Sequence, residues 1–397
     1  MKRALVLLGA GAAIDFGAPS TKELTDIIQK AVIEDRVMQM TGGDGAFKKI
    51  KAGLAGYLDK PGIVHFEQIY HCAHELLFTT PPTMGAYDEF KPIMQPFLAD
   101  KTGLKKEALR ALCEKIVEVI YHKVAARSAA PTWDLRPLAD FVNSLRVDHV
   151  TRVYTTNYDD FPLQAVSDLY TGYGSTIRDG ARRFDIDTFW EQQERAALFH
   201  LHGSVHMGFS HPPGYEIGEL SWFDDRAEAL KHAFFSGSSP SRMDGTYTLR
   251  TSVVTGLEKL SRVQARPLSH YYSALTIDAM RADIIYVIGS GLADLHLNTW
   301  LAEARARSPK PPLLFVDYNL GTLKDGVYFP NDRKVIELFH RLQVHVNGSM
   351  RGNMAGDWLV TQDRTAAVWH RGFRAFLEEP EQHARVLSLI TRAGKAP

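Results

Sequence analysis

Four short motifs stand in order along this chain, each closing an apolar run: Gly9-Ala10-Gly11 with Gly17-Ala18-Pro19, then Thr155-Thr156-Asn157-Tyr158-Asp159, then Leu201-His202-Gly203-Ser204, then Gly289-Ser290-Gly291-Leu292. The runs before them cover Arg3–Leu8, His149–Thr155, Ala197–Leu201 and Asp283–Ile288. Arg3–Leu8 is apolar and unbroken, as expected of a central parallel strand buried on both faces, and the other three runs have strand character. Leu313–Val316 and Gln343–Val346 have the same character. Helical spacing separates them at Lys22–Ile33, Phe161–Tyr170, Leu268–Arg281, His296–Arg307 and Asp332–Leu342. Ser20 or Thr21 caps the first of these helices. The alternation predicts an α/β fold with a doubly wound, Rossmann-like parallel sheet. Ligands bind outside the carboxyl ends of such strands, so the four motifs are expected to share one cleft.

The other segments read differently. Residues 36–130 carry helical patterns at Phe66–Phe78 and Lys105–Ala126, broken by Pro81-Pro82 and by Pro92 to Pro96. They are expected to form a helical insertion. Residues 205–250 are rich in Gly, Ser, Pro and aromatic residues and suit a lid or small subdomain over the cleft. Residues 349–397 read as an Arg-rich helical tail, with Trp369 and Phe373 on one helix face. The sheet domain is thereby assigned to residues 1–35 and 131–348.

Composition narrows the function. Lys plus Arg and Asp plus Glu are both 46, so the net charge is zero, against a general nucleic-acid binder. The only cysteines, Cys72 and Cys113, lack a CxxC neighbour, which excludes a four-cysteine zinc site within the chain and fits a reducing, cytoplasmic setting. No apolar stretch approaches the roughly 20 residues needed to span a bilayer. Met1-Lys2-Arg3 and the apolar residues after it resemble a signal peptide, but the same residues make the first strand that the later motifs require.

Each motif suggests chemistry. Gly9, Ala10, Gly11 and Ala13 form a strand-to-helix turn whose backbone N–H groups suit a pyrophosphate; a tight turn alone also explains them. In the second motif, Thr156 and Asn157 stand at a strand end, where Asn157 offers both donors and acceptors and Asp159 accepts from a ribose; an Asx-turn with a helix cap is the plainer alternative. His200, His202, His206 and His211 crowd one stretch, and strand alternation puts His200 and His202 on one face. Zinc binding, inert histidines, and His202 as a general base with Gly203 beside it are the three readings of that stretch. Gly289 and Ser290 provide a second wall, and Asp294 is placed to cap the following helix. Asp317 and Asn319 end a further strand where an adenosine ribose would lie.

These motifs resemble those of sirtuins. That family has Gly-Ala-Gly-x-Ser-x3-Gly-Ile-Pro where this chain runs from Gly9 to Pro19, with Ala13 in place of the usual Ser. Thr155-Thr156-Asn157-Tyr158-Asp159 stands for Thr-Gln-Asn-Ile-Asp, His202-Gly203 for the catalytic His-Gly, Gly289-Ser290-Gly291-Leu292 for Gly-Thr-Ser-Leu, and Asp317-Tyr318-Asn319 for Asn-x-Glu. The resemblance spans roughly residues 1–35 and 130–320. Residues 203–280 hold no cysteine, so the zinc module of the deacylating members is missing, and the Asp-Phe-Arg of many of them is Ser20-Thr21-Lys22.

The resemblance implies NAD as substrate, no zinc, and catalysis by Asn157 and His202. It further implies NAD contacts from Gly9, Ala10, Gly11, Ala13, Pro19, Thr156, Asp159, Gly289, Ser290, Asp317 and Asn319. Without the zinc module the chain resembles the sirtuin-like domains of bacterial antiphage defence, which hydrolyse or deplete NAD, so an NAD+ glycohydrolase yielding nicotinamide and ADP-ribose is expected. Some of these work with an Argonaute, a TIR-linked signal or a HerA-type ATPase. A homo-oligomer or such a partner is therefore expected. The alternatives are a zinc-free deacylase or ADP-ribosyltransferase, and a non-catalytic sensor of NAD or ADP-ribose.

Overall fold

The computed structural model describes residues 1–58, 64–80, 104–178, 180–209, 219–234, 249–257, 259, 263–318, 321–324, 327–330, 340–344, 354–355 and 357–393. In chain order its strands are β1 Lys2–Leu8, β2 His149–Thr155, β3 Tyr173–Arg178, β4 Ala181–Phe184, β5 Ala197–His200, β6 Met207–Phe209 and β7 Leu220–Trp222. They continue as β8 Ile284–Ile288, β9 Leu313–Val316, β10 Gly321–Lys324, β11 Val327–Pro330, β12 Met354–Ala355, β13 Trp358–Val360 and β14 Ala366–Trp369.

Eight of them form one sheet in the order β12-β13-β14-β9-β8-β1-β2-β5. From β14 to β5 all neighbours are parallel, while β13 pairs antiparallel with both β14 and β12. The first three parallel strands run outward from β1 on one side and the next three from β8 on the other. The topological switch point therefore lies between β1 and β8, as in a doubly wound Rossmann-like sheet. Leu8 is level with Thr155 on one side and with Ile288 on the other. Gly9, Thr156 and Gly289 thus leave the sheet side by side.

The unbroken apolar character of β1 and β8 has a plain cause. Leu5, Leu7, Ile285 and Val287 enter the core on one face of the sheet. Ala4, Val6, Leu8, Ile284, Tyr286 and Ile288 enter the core on the other. Neither strand has a solvent face to be polar on.

Helices Arg36–Thr41, Gly43–Tyr57, Phe66–Thr79 and Lys106–Ala129 occupy the described part of the expected insertion. They pack into a third core with Leu24, Ile28 and Val32 of the helix Thr21–Glu34. By packing, the helical block thus begins at Thr21 rather than at residue 36, because the apolar stripe of that first helix faces the block. Ser20 caps this helix, its side chain accepting from the Glu23 N–H at 3.1 Å. Strands β3, β4, β7 and β6 make a separate antiparallel sheet. The stretch expected to be a lid is, where described, part of this small sheet together with the helix Arg226–Lys231.

The tail departs from expectation. It is not wholly helical: β12, β13 and β14 extend the main sheet, and helices Gly372–Glu378 and Pro380–Ala393 follow. Trp369 lies in β14 and Phe373 in the helix, so they share no helix face. Both are buried against the sheet, which is why their spacing looked periodic. The helix expected to reach Tyr170 ends at Ala165, because Tyr170 bridges to Ala197 instead. At the expected strand Gln343–Val346, Gln343 has φ 55°, which a strand cannot accommodate; residues 345–346, and most of the helix expected over Asp332–Leu342, lie outside the described residues. Among the described residues, no helix is long and apolar enough to cross a membrane.

Candidate active site

Two glycine turns meet at the switch point. The Gly9 N–H donates to the Ile288 carbonyl at 2.9 Å and the Gly11 N–H to the Gly289 carbonyl at 2.8 Å. The approach is close enough to demand glycine. Gly289 has φ +61°, and a Cβ on it would lie 2.0 Å from the Ala12 nitrogen; a Cβ on Gly9 would lie 2.6 Å from the Gly289 oxygen. Ala12 and Ala13 donate within the turn to Gly9 and Ala10. Most N–H groups of this turn are thus already used, and the Ala10 N–H is the one left over.

Beside these turns lies a cavity of about 270 Å³. Ten residues expected at the site line it: Gly9, Ala10, Ala13, Pro19, Thr156, Asn157, Asp159, His202, Gly289 and Ser290. Gly11 does not line the cavity; it shapes the turn against Gly289. Asp317 does not line this cavity; it follows Val316, whose carbonyl accepts from the Gly289 N–H at 2.8 Å, and its own Oδ1 accepts from the Tyr318 N–H at 2.7 Å. Asn319 lies outside the described residues.

Asn157 spans two strand ends. Its Nδ2 donates to the Gly9 carbonyl at 2.9 Å, and its backbone N–H donates to the Thr155 hydroxyl at 3.0 Å. One donor is thereby fixed, and the side chain is held over the Gly9 turn with its carbonyl oxygen available.

The His202 loop is braced from three directions. The Val254 N–H donates to the His202 carbonyl at 2.8 Å, the Val205 N–H to the Tyr158 carbonyl at 2.9 Å, and the Tyr121 hydroxyl to the Ser204 carbonyl at 3.0 Å. Gly203 has φ +85°, and a Cβ there would lie 2.1 Å from the Ser252 oxygen. The glycine therefore serves the passing backbone at Ser252 rather than making room beside the ring. His202 is buried, and its Nε2 has no hydrogen-bond partner. A buried polar atom without a partner is uncommon and, beside a cavity, is ready for a ligand or water. Burial first, and the Lys259 charge second, push its pKa down to about 3 against the upward pull of Asp294, so the ring is neutral near pH 7.

Three charged residues that the sequence did not single out for the site complete it. Asp294 places Oδ1 3.0 Å from the Lys259 Nζ and Oδ2 3.7 Å from the His202 Nε2. Lys259 Nζ also lies 3.4 Å from Glu67 Oε1, which comes from the helical block. Asp294 occupies the N-cap position of the helix Leu295–Arg305, as expected, but its side chain makes no cap bond. Neither Glu67 nor Lys259 sits in a motif, so only their spatial convergence reveals them.

The other histidines are engaged. The His200 Nε2 meets the Asp159 carbonyl at 2.9 Å, and burial pushes the pKa of His200 down to about 4. His206 meets Asp160 Oδ2 at 2.9 Å and the Phe223 carbonyl at 2.8 Å, and stacks on Trp222. β5 ends at His200, so strand alternation does not extend to His202. His211 lies outside the described residues, and among those described no three His, Cys, Asp or Glu side chains group to hold a metal. Asp159 is buried in the cavity wall, and that burial pushes its pKa up to about 7.

No curated protein matches this sequence. Among solved structures, the chain is similar to one described under the mechanism and regulation of Sir2 enzymes, at 13% identity and TM-score 0.34, over 86% of this chain and 93% of the other. A Sir2 homologue in complex with ADP-ribose matches at 14% identity and TM-score 0.36, over 86% and 92%. A third, described under the structural basis of sirtuin substrate affinity, matches at 12% identity and TM-score 0.35, over 86% and 93%. The model of one protein family, the SIR2-like domain, matches residues 151–324, the stretch from β2 through β10 that supplies Asn157, His202 and Gly289. Over those residues the chain is similar to the SIR2-like domain.

Proposed function

We propose that this protein is an NAD+ glycohydrolase that releases nicotinamide and ADP-ribose. The observation that carries the reading is the convergence, in one cavity at the switch point, of Asn157 with the unpartnered Nε2 of a neutral His202. Breaking the nicotinamide–ribose bond leaves an oxocarbenium-like ribose that water must attack. Asn157, fixed on Gly9, orients the attacking water or the ribose hydroxyls. His202 takes the proton at Nε2. Asp159 holds the ribose, and the Ala10 N–H with the Gly289–Ser290 turn meets the pyrophosphate. The chemistry needs no Lewis acid, because nicotinamide leaves as a neutral base. NAD depletion would harm its own cell, so activity requires a gate. We propose assembly into a homo-oligomer, or a partner such as a HerA-type ATPase, as that gate in antiphage defence.

The test is to incubate the purified protein with NAD and follow nicotinamide and ADP-ribose by chromatography, alone and with the product of any neighbouring gene. Nicotinamide and ADP-ribose in equal amounts, undiminished by chelator and not accelerated by acetylated peptide, is the expected result. Peptide-dependent O-acetyl-ADP-ribose would replace the hydrolase by a deacylase. Binding without cleavage under every condition would leave a sensor.

A further inference from the structure

We infer that Asp294 and Lys259 are opposed positioning residues that together set the proton affinity of His202, Asp294 as the counter-ion of its protonated ring and Lys259 as the charge that holds that counter-ion back. The inference rests on the reading of His202 as the proton acceptor. Its basis is geometric. Asp294 is one carboxylate between two bases, with Oδ1 3.0 Å from Lys259 Nζ and Oδ2 3.7 Å from His202 Nε2. All three side chains line the same cavity. The Lys259 side chain is 10% exposed and that of His202 3%, so solvent screens little of what passes between them.

The division of Asp294 has a chemical consequence. When Nε2 takes a proton, the ring becomes a buried cation, which is costly unless a partner stands close. Asp294 already stands close, but its charge is shared with Lys259. Two carboxylates, Glu67 and Asp294, flank Lys259 and outweigh its burial, so it keeps its proton. The remaining groups around the ring are His296, from the same helix as Asp294, and Asp159 with Tyr158, from the segment after β2. His296 Nε2 is held by the Tyr272 hydroxyl at 3.0 Å, Tyr158 donates to the Val254 carbonyl at 2.9 Å, and Asp159 accepts from the Phe161 N–H at 3.3 Å. Lys259 and Asp294 are the oppositely charged pair beside the ring, and they act on His202 in opposite senses.

The test reads the ring directly. Histidine-labelled full-length protein is titrated by NMR as parent, Lys259→Met, and Lys259→Met with Asp294→Asn, with circular dichroism to check folding. Lys259→Met is expected to raise the His202 midpoint by about one pH unit or more, and adding Asp294→Asn to lower it again. If Lys259→Met does not fold, Lys259→Gln replaces it. A Lys259 variant that titrates as the parent, or a double variant that titrates as the single, overturns the inference. The acid limb of the NAD-cleavage profile should move with the ring. Ring shifts as expected in a protein that never cleaves NAD would sink the hydrolase reading and leave the electrostatic assignment; cleavage with an unmoved ring would do the reverse.

Discussion

The amide nitrogen of Asn157 donates to the carbonyl of Gly9, 148 residues earlier in the chain, at 2.9 Å. This bond ties the end of β2 to the turn after β1 and orients the rest of the side chain. Asn157→Ala removes the tie and the orienting oxygen together. NAD cleavage should fall by about 10²-fold or more, with stability changed by less than about 2 kcal/mol. Asn157→Asp should be no better, since a carboxylate would face the Gly9 carbonyl without a donor. Initial rates and thermal melts of both variants check this; an Asp variant at parental rate would mean that the side chain does not act through its amide.

His202→Ala should lower cleavage by about 10²–10⁴-fold while calorimetry still detects ADP-ribose binding. His200 and His206 are poor comparison sites, because each is buried and bonded. Losing His206 strips one partner from Asp160, which Arg226 and Gln164 also hold, and should destabilise the fold by a few kcal/mol. His122, with a side chain 58% exposed, is the sound control and should behave as the parent.

Asp159 gives a pH signature. Its pKa rises from 3.8 unfolded to about 7 folded, through burial. Between those values the native state holds the extra proton, so this residue removes stability as pH rises from about 4 to 7. Asp159→Asn keeps an acceptor for the Phe161 N–H and has no charge to bury. The variant should melt higher than the parent at pH 8, by a few kcal/mol at about 1.4 kcal/mol per pH unit, and the two should converge near pH 4. His200, whose folded pKa is lowered to about 4, acts oppositely: its contribution is lost as pH falls from 6.5 through 4. Melts across pH 4–8 would separate the two; an Asn variant equal to the parent at pH 8 would contradict a carboxyl whose pKa burial has raised.

Gly289 and Gly291 are two residues apart and should respond very differently. Alanine at Gly289 forces a Cβ to 2.0 Å from the Ala12 nitrogen at φ +61°, whereas a Cβ at Gly291 meets nothing within 4 Å. Gly289→Ala should cost about 3 kcal/mol or more or prevent folding, and Gly291→Ala should stay within about 1 kcal/mol. Chemical denaturation of the pair decides; equal stabilities would mean that the two turns can separate freely.

The central sheet was legible in the sequence because its strands are buried on both faces, and β9 and the helix Leu268–Arg281 have the bounds their apolar patterns predict. The strand-end motifs also converge as expected, since parallel strands in register bring their carboxyl ends level. The charged half of the cavity was not legible. Glu67 stands in the first turn of an apolar helix, and Lys259 in a stretch without periodicity, so neither carries a local signal. The tail misled for another reason. Trp358-Leu359-Val360 and Ala366-Ala367-Val368-Trp369 are runs of three and four residues, too short for period alone to tell strand from helix.

The place of β14 has a consequence for how the chain is made. β9 pairs with β8 on one side and with β14 on the other, in register from Leu313↔Ala366 to Val316↔Trp369. During synthesis, then, β9 waits with an open apolar edge until some fifty further residues have emerged. A chain cut where the SIR2-like match stops, at residue 324, would keep that edge for good. Such an edge is a template for pairing with other chains. A clone trimmed to the recognised domain should therefore precipitate during expression, while one that runs through the helix Gly372–Glu378 has its outermost parallel strand closed over.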